Sequence, residues 1–240
     1  MSMKHYEQVV EFMNTFGQDV HTTFKMPSTK LAQLRFNLIA EEVDELQEAI
    51  DNDDIVEIAD ALTDILYVVH GAHAAFGTIP HMCRDADGPW VDMVITQLPD
   101  VRFSGATTGY LTRNLHRLND AFDPDTVPGL FVEQEVTTAL DNLLAATYKF
   151  AWLCGIDIYA CFEEVHSSNM SKVCKTQVEA ENSIQWRIET ASTSDVAANY
   201  TGAIVEEHNG FFVIKRKADG KALKGRQYFD PDLARIVKLR

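Results

Sequence analysis

Six carboxylates are spaced for chemistry. Glu41, Glu42 and Glu45 fall within one helical turn and a half, and Glu57, Asp60 and Asp64 follow at intervals of three and four. At about 100° per residue, each set occupies one arc of a helix. On the first helix that arc coincides with Leu31, Leu34 and Leu38, so the glutamates are expected on a side that the preceding turns bury. Ile39, Val43, Leu46 and Ile50 form a second apolar stripe beside it. On the second helix the acidic arc continues as Val68, Gly71 and Ala75. No other carboxylate lies between residues 55 and 83.

Carboxylates facing one another in a poorly hydrated gap cannot all stay ionised. Desolvation and mutual repulsion raise their pKa values unless a cation intervenes. Clustered carboxylate oxygens suit Mg²⁺, with Mn²⁺ as the second candidate. No His or Cys lies in the arc to suggest zinc. The competing reading is a solvated acidic face with partners four residues away. The absence of interleaved Lys or Arg and the apolar flanks favour the metal. Bound divalent ions of this kind mostly handle phosphate oxygens and activate water. The chain has no G-x-x-x-x-G-K-[ST] loop, which excludes a P-loop enzyme.

The elements that hold these residues follow from periodicity and punctuation. A short amphipathic helix is expected over 5–17. One long helix runs from Pro27-Ser28 to Ile50, a turn covers 51–54, and a second long helix runs from Asp54 to Phe76, ended by Gly77. That second helix is apolar on every side above Ile65, so burial all round is expected. Residues 81–104 read as irregular. Helices are expected over 107–122, 133–153, 157–168 and 176–190. Asn209-Gly210 joins two β-rich segments, 201–206 and 211–215, into a hairpin. Asp230-Pro231 reads as the cap and first position of a last short helix. The expectation is a mainly α protein, a helical bundle with a small C-terminal β-hairpin. It has one catalytic region over 1–193 with inserted helices at about 78–155, and a tail over 194–240 packed on it.

Composition narrows the function classes. Of 240 residues, 36 are acidic and 21 basic, a net charge of -15. Such a chain is not expected to bind nucleic acid or an anionic membrane. No apolar run reaches a membrane span and no secretory leader is visible, so the expected compartment is cytoplasmic. Cys83, Cys154, Cys161 and Cys174 form no C-x-x-C pair and are expected as free core thiols. His70 and His73 fall on the buried helix and read as core histidines. Trp90, Trp152 and Trp186 read as packing residues.

At the acidic stripe the sequence resembles a known family. Glu41-Glu42-Val43-Asp44-Glu45 followed by Glu57-Ile58-Ala59-Asp60 is similar to the E-E-x-x-E … E-x-x-D signature of the MazG-like, all-α NTP pyrophosphatase superfamily. Dimeric dUTPases, dCTP pyrophosphatases and phosphoribosyl-ATP pyrophosphohydrolases are among its members. Residues 34–39 and 60–67 resemble the flanks of that signature. Residues 164–172, Asp219-Gly220-Lys221-Ala222-Leu223-Lys224 and Pro231-Asp232-Leu233 resemble stand-alone bacterial and phage members. Two departures stand out. Ala61 occupies the family's glutamate position if Asp64 is taken as its aspartate, and 78–155 replaces a short connection.

The resemblance implies a fold, a reaction and a site. Glu41, Glu42, Glu45, Glu57, Asp60 and Asp64 would hold Mg²⁺. Glu41, Glu42 and Glu45 would serve catalysis, one glutamate or one metal activating water against the α-phosphorus. A nucleoside triphosphate would be cut to monophosphate and pyrophosphate. Asn169 and Lys172 would contact base or phosphate, and Lys221 and Lys224 phosphate, each with plain surface polarity as the alternative. Arg35, two turns before Glu42, either pairs with a carboxylate or reaches a phosphate. Two rival functions stay open: a phosphoribosyl-ATP pyrophosphohydrolase-like enzyme, and a non-catalytic nucleotide- or metal-binding regulator. The apolar second helix needs more cover than one neighbour gives, which with the resemblance implies a homodimer or higher homo-oligomer. The inserted helices could supply that cover within one chain instead.

Overall fold

A computed structural model describes residues 3–81, 106–123, 125–126, 129–218 and 220–237. The chain divides into two units. The first holds Met1–Val10, Asp19–Glu163 and Asp232–Arg240, and the second holds Glu11–Gln18 and Glu164–Pro231. The elements are α1 (Lys4–Thr15), α2 (Thr29–Asp51), α3 (Ile55–Phe76), α4 (Ala106–Asp120), α5 (Val132–Leu153), α6 (Ile158–Met170), α7 (Gln177–Glu189), α8 (Ser194–Tyr200), β1 (Ile204–His208), β2 (Phe211–Lys215) and α9 (Leu233–Val237). The architecture is the expected one, mainly helical with a two-stranded antiparallel hairpin.

In the first unit, local chemistry starts and stops the two long helices where the sequence indicates. The Ser28 hydroxyl accepts the Leu31 N–H at 3.2 Å and opens α2. The Asp54 carboxylate accepts from Val56 and Glu57 N–H, at 3.0 and 3.3 Å, and opens α3. Both satisfy donors that a helix start leaves orphaned. Gly77 ends α3 with φ +74°, and a Cβ there would lie 1.9 Å from the Thr23 carbonyl oxygen. Only glycine fits that close approach.

Side chains of α2 and α3 pack along Ile39, Val43, Leu46 and Ala49 against Ile58, Leu62, Ile65 and Val69, all buried. From Ile58 to Phe76, α3 is buried except along Asp60, Asp64 and Val68, which are half-buried. The cover comes from within the chain. Contacts run from α2 to α3, α3 to α5, α5 to α4 and α4 to α2, the ring of a four-helix bundle. The inserted pair brings Leu111, Leu115 and Leu118 from α4 and Leu140, Leu143 and Phe150 from α5 into the core. Polar ties fix its register. Thr108 Oγ1 donates to Gln47 Oε1 at 2.5 Å, Asn142 Nδ2 to Asn114 Oδ1 at 3.1 Å, and Arg117 pairs with Glu135 at 2.6 Å. Above them His5, Tyr67, His70, Tyr148 and Phe162 form an aromatic nest, with His5 Nδ1 2.7 Å from the Tyr148 hydroxyl.

The second unit is built on Cys174, Ala180, Tyr200, Ile214 and Leu223, packed with Ile184, Val205 and Phe212. The hairpin pairs Ile204 with Lys215 and His208 with Phe211. Asn209, at φ +50°, and Gly210, at φ +80°, make its turn.

Four sequence expectations change. Leu34 is 50% exposed and Leu31 and Leu38 are only partly covered, so the leucine stripe of α2 is an open face and the glutamates on it are not buried by it. The Ile39–Val43–Leu46 stripe takes the core because α3 and α4 both pack there. The last helix starts at Leu233 with Asp232 as its cap, accepting Arg235 N–H at 3.2 Å; Asp230 instead pairs with Lys224. A further helix, α8, occupies 194–200, capped by Thr193. Trp152 is 71% exposed rather than packed. The irregular reading of 81–104, Cys83 and Trp90 lie outside the described residues apart from His81. Cys161 and Cys174 are buried free thiols, and Cys154 is half-buried.

Candidate active site

The α2–α3 hairpin is antiparallel, so a glutamate near the end of α2 meets residues near the start of α3. Glu42, Asp60 and Asp64 are half-buried, while Glu41, Glu45 and Glu57 are exposed at the edge. Glu42 carries the electrostatic signature of the cluster. Its carboxyl is pushed up to about 8 by burial, then by the charges of Asp64, Glu45, Glu41 and Asp60. Asp60 is raised too, by burial and then by Glu57 and Glu45. Carboxylates of both helices therefore face one another, as the spacing requires. Every contribution to the Glu42 shift acts in the same direction, the state that a bound cation would relieve.

The donor set is oxygen only, which fits a hard divalent ion. Among the described residues, no three His, Cys, Asp or Glu side chains already converge as a cage. Cys161 is buried near this face, and Asp60 is among the charges that help burial raise its thiol to about 11. It is a packing residue, not a nucleophile. Arg35 is buried on α2; burial lowers its guanidinium to about 10 and Asp19 opposes the change.

The remaining candidates lie in the second unit, where the fold joins the two late sequence blocks. Ser168 Oγ donates to the Phe229 carbonyl at 2.8 Å, and Ser171 Oγ accepts the Phe229 N–H at 3.3 Å. Lys172 Nζ donates to Asn169 Oδ1 at 2.6 Å and lies 5.9 Å from the Tyr228 ring centre. Lys224 Nζ lies 4.2 Å from the same ring and 3.0 Å from Asp230. Asn169, Lys172 and Lys224 thus gather around Tyr228, a residue that sequence reasoning missed. The signal was an aromatic four residues after Lys224, between two blocks already singled out. Lys221 is exposed on the preceding turn. Asp219 lies outside the described residues.

Residues 9–85 match the sequence model of the family described as phosphoribosyl-ATP pyrophosphohydrolase. That span contains α2, α3 and all six stripe carboxylates. Over this span the sequence is similar to a family of the MazG-like, all-α NTP pyrophosphatase superfamily. The match supports an enzyme of the nucleotide pyrophosphohydrolase type, a hydrolase acting on a nucleotide. A second similarity covers nearly the whole chain: 29% identity over 250 residues with "Uncharacterized protein L479" of Acanthamoeba polyphaga mimivirus, spanning 98% of this chain and 96% of that one. It therefore extends through the inserted helices and the hairpin. No solved structure matches. Among the described residues, no helix is long and apolar enough to cross a membrane.

Proposed function

We propose that the protein is a Mg²⁺-dependent nucleoside triphosphate pyrophosphohydrolase that converts a (d)NTP to (d)NMP and pyrophosphate. The observation that carries the reading is the carboxyl of Glu42, held at about 8 among four other carboxylates of α2 and α3. Half-buried like charges such as Glu42, Asp60 and Asp64 are costly to keep together, and a bound cation would compensate them. Glu42, Asp60 and Asp64 would hold the ion from the closed side, and Glu41, Glu45 and Glu57 from the open edge. Bound there, Mg²⁺ or Mn²⁺ would neutralise phosphate charge and lower the pKa of water. One glutamate of the Glu41–Glu42–Glu45 group accepts the proton of the water that attacks the α-phosphorus. Lys172, Lys221, Lys224 and Asn169 are tested separately as substrate contacts, by the effect of their alanine variants on KM.

A second reading, hydrolysis of phosphoribosyl-ATP, is favoured by the family whose sequence model matches. A screen of NTPs, dNTPs and phosphoribosyl-ATP, with Mg²⁺ and with EDTA, separates the two and also tests the non-catalytic alternative. The first reading expects turnover of a triphosphate with Mg²⁺ only. Turnover of phosphoribosyl-ATP alone would replace it, and no turnover of anything would favour the regulator.

A further inference from the structure

A polar cavity lies in the first unit, at the far end of α3 from the acidic stripe. Its volume is about 550 Å³, within the range that encloses a small ligand. Gly77 lies on its wall, 13 residues beyond Asp64, about 20 Å along a helix axis. The stripe chemistry does not reach it.

The wall is rich in uncommitted hydrogen-bonding groups. Thr22, Thr23, Glu133 and Gln134 line the cavity, and none of their side chains makes a hydrogen bond among the described residues. Thr137 donates its hydroxyl proton to the Glu133 carbonyl at 2.7 Å, so its oxygen keeps lone pairs to accept with. His81 is held in place. Its Nδ1 lies 2.6 Å from Asp141 Oδ2, and its backbone N–H donates to Asp141 Oδ1 at 3.1 Å. Among the described residues, Nε2 makes no hydrogen bond, which leaves it open to a ligand. Behind Asp141 stands His73, with Nε2 at 3.7 Å and Nδ1 bonded to Thr78 Oγ1 at 2.8 Å. The two Asp141 contacts hold in place the His81 imidazole, which lines the cavity and is 57% exposed. Three apolar side chains complete the lining, Phe24, Ile79 and Leu130, the last 87% exposed.

We propose that this cavity binds a neutral nucleoside, at a site separate from the carboxylate stripe. Among the described residues, Glu133 is the one full-time charge on the wall, and its carboxylate disfavours a phosphate there. Threonine hydroxyls, an amide and an imidazole suit the hydroxyls of a sugar and the edge of a base. Phe24 and Leu130 offer apolar surface for a flat ring. The choice of a nucleoside among polar ligands of this size rests on the nucleotide activity proposed above. The cavity and its hydrogen-bonding inventory do not.

The test is calorimetric titration of the full-length Glu42→Gln protein in EDTA with adenosine, guanosine, cytidine and thymidine, and with the matching monophosphates. Turnover and metal play no part, so the outcome is independent of whether the pyrophosphohydrolase reading holds; pyrophosphate release reports on that one. One nucleoside should bind at ~1 mM or tighter, more tightly than its monophosphate. Gln134→Ala and His81→Phe, both at exposed positions, should each weaken it ~10-fold with an unchanged melting temperature. No nucleoside binding up to the solubility limit would overturn the proposal. So would binding indifferent to both substitutions, or tighter binding of the monophosphate.

Discussion

At the scale of single residues, Glu42 and the buried histidines pull the stability of the metal-free protein in opposite directions. A carboxyl raised from 4.5 to about 8 keeps its proton in the native state after the unfolded chain has lost it. The native state then binds more protons, so stability falls as pH rises through that window. His70 is fully buried, neither of its ring nitrogens is hydrogen-bonded among the described residues, and burial, then His5, lowers it to about 3. His73 is lowered in the same sense by burial, then by His70 and His81. Here the unfolded state binds the extra protons, and stability is lost as pH falls below 6.5. Between pH 6.5 and 8 only the carboxylates still act. In EDTA the melting temperature should therefore fall between pH 6.5 and 8, and Glu42→Gln or added Mg²⁺ should flatten that slope. A wild-type profile that stays flat in EDTA would remove the electrostatic basis of the site. Glu42→Gln should also lower turnover ~10²-fold or more with its helical circular dichroism intact.

At the scale of elements, the α2–α3 hairpin was legible because each boundary is written by one residue: Ser28, Asp54 and Gly77. Two substitutions test that. Asp54→Ala should cost about 1 kcal/mol in urea unfolding, through the lost cap. Gly77→Ala should cost more, at least about 2 kcal/mol, because it adds left-handed strain to the clash with Thr23. The buried histidines of α3 and the facing of its acids toward α2 were equally readable from periodicity. Less could be read where two stripes competed. The wheel of α2 has apolar residues on both sides, and only the neighbours in space decide that Ile39 is buried and Leu34 open. Asp230 and Asp232 are both good caps, and the ion pair with Lys224 takes the first away. The gathering of Asn169, Lys172 and Lys224 around Tyr228 joins segments some fifty residues apart, a distance over which no local pattern speaks.

At the scale of the whole molecule, the inserted pair α4–α5 explains how α3 can be apolar on every side. It closes the bundle that α2 and α3 begin, and it supplies within one chain the cover for which a homodimer is the other solution. A homodimer is thus left to the open face of α2, where Leu34 and, ahead of it, Met26 are 50% and 54% exposed. We expect light scattering to give a mass near 27.0 kDa at high micromolar protein. Twice that mass, returned to one chain by Leu34→Glu, would place a partner on that face. The account rests above all on phosphate chemistry at the carboxylate stripe. The most direct measurement is product analysis of a nucleoside triphosphate incubated with the protein and Mg²⁺, separating pyrophosphate from orthophosphate. The account predicts monophosphate and pyrophosphate in equal amounts, abolished by EDTA and by Glu45→Gln. Orthophosphate and diphosphate as the only products, or undiminished pyrophosphate release by Glu45→Gln, would contradict it.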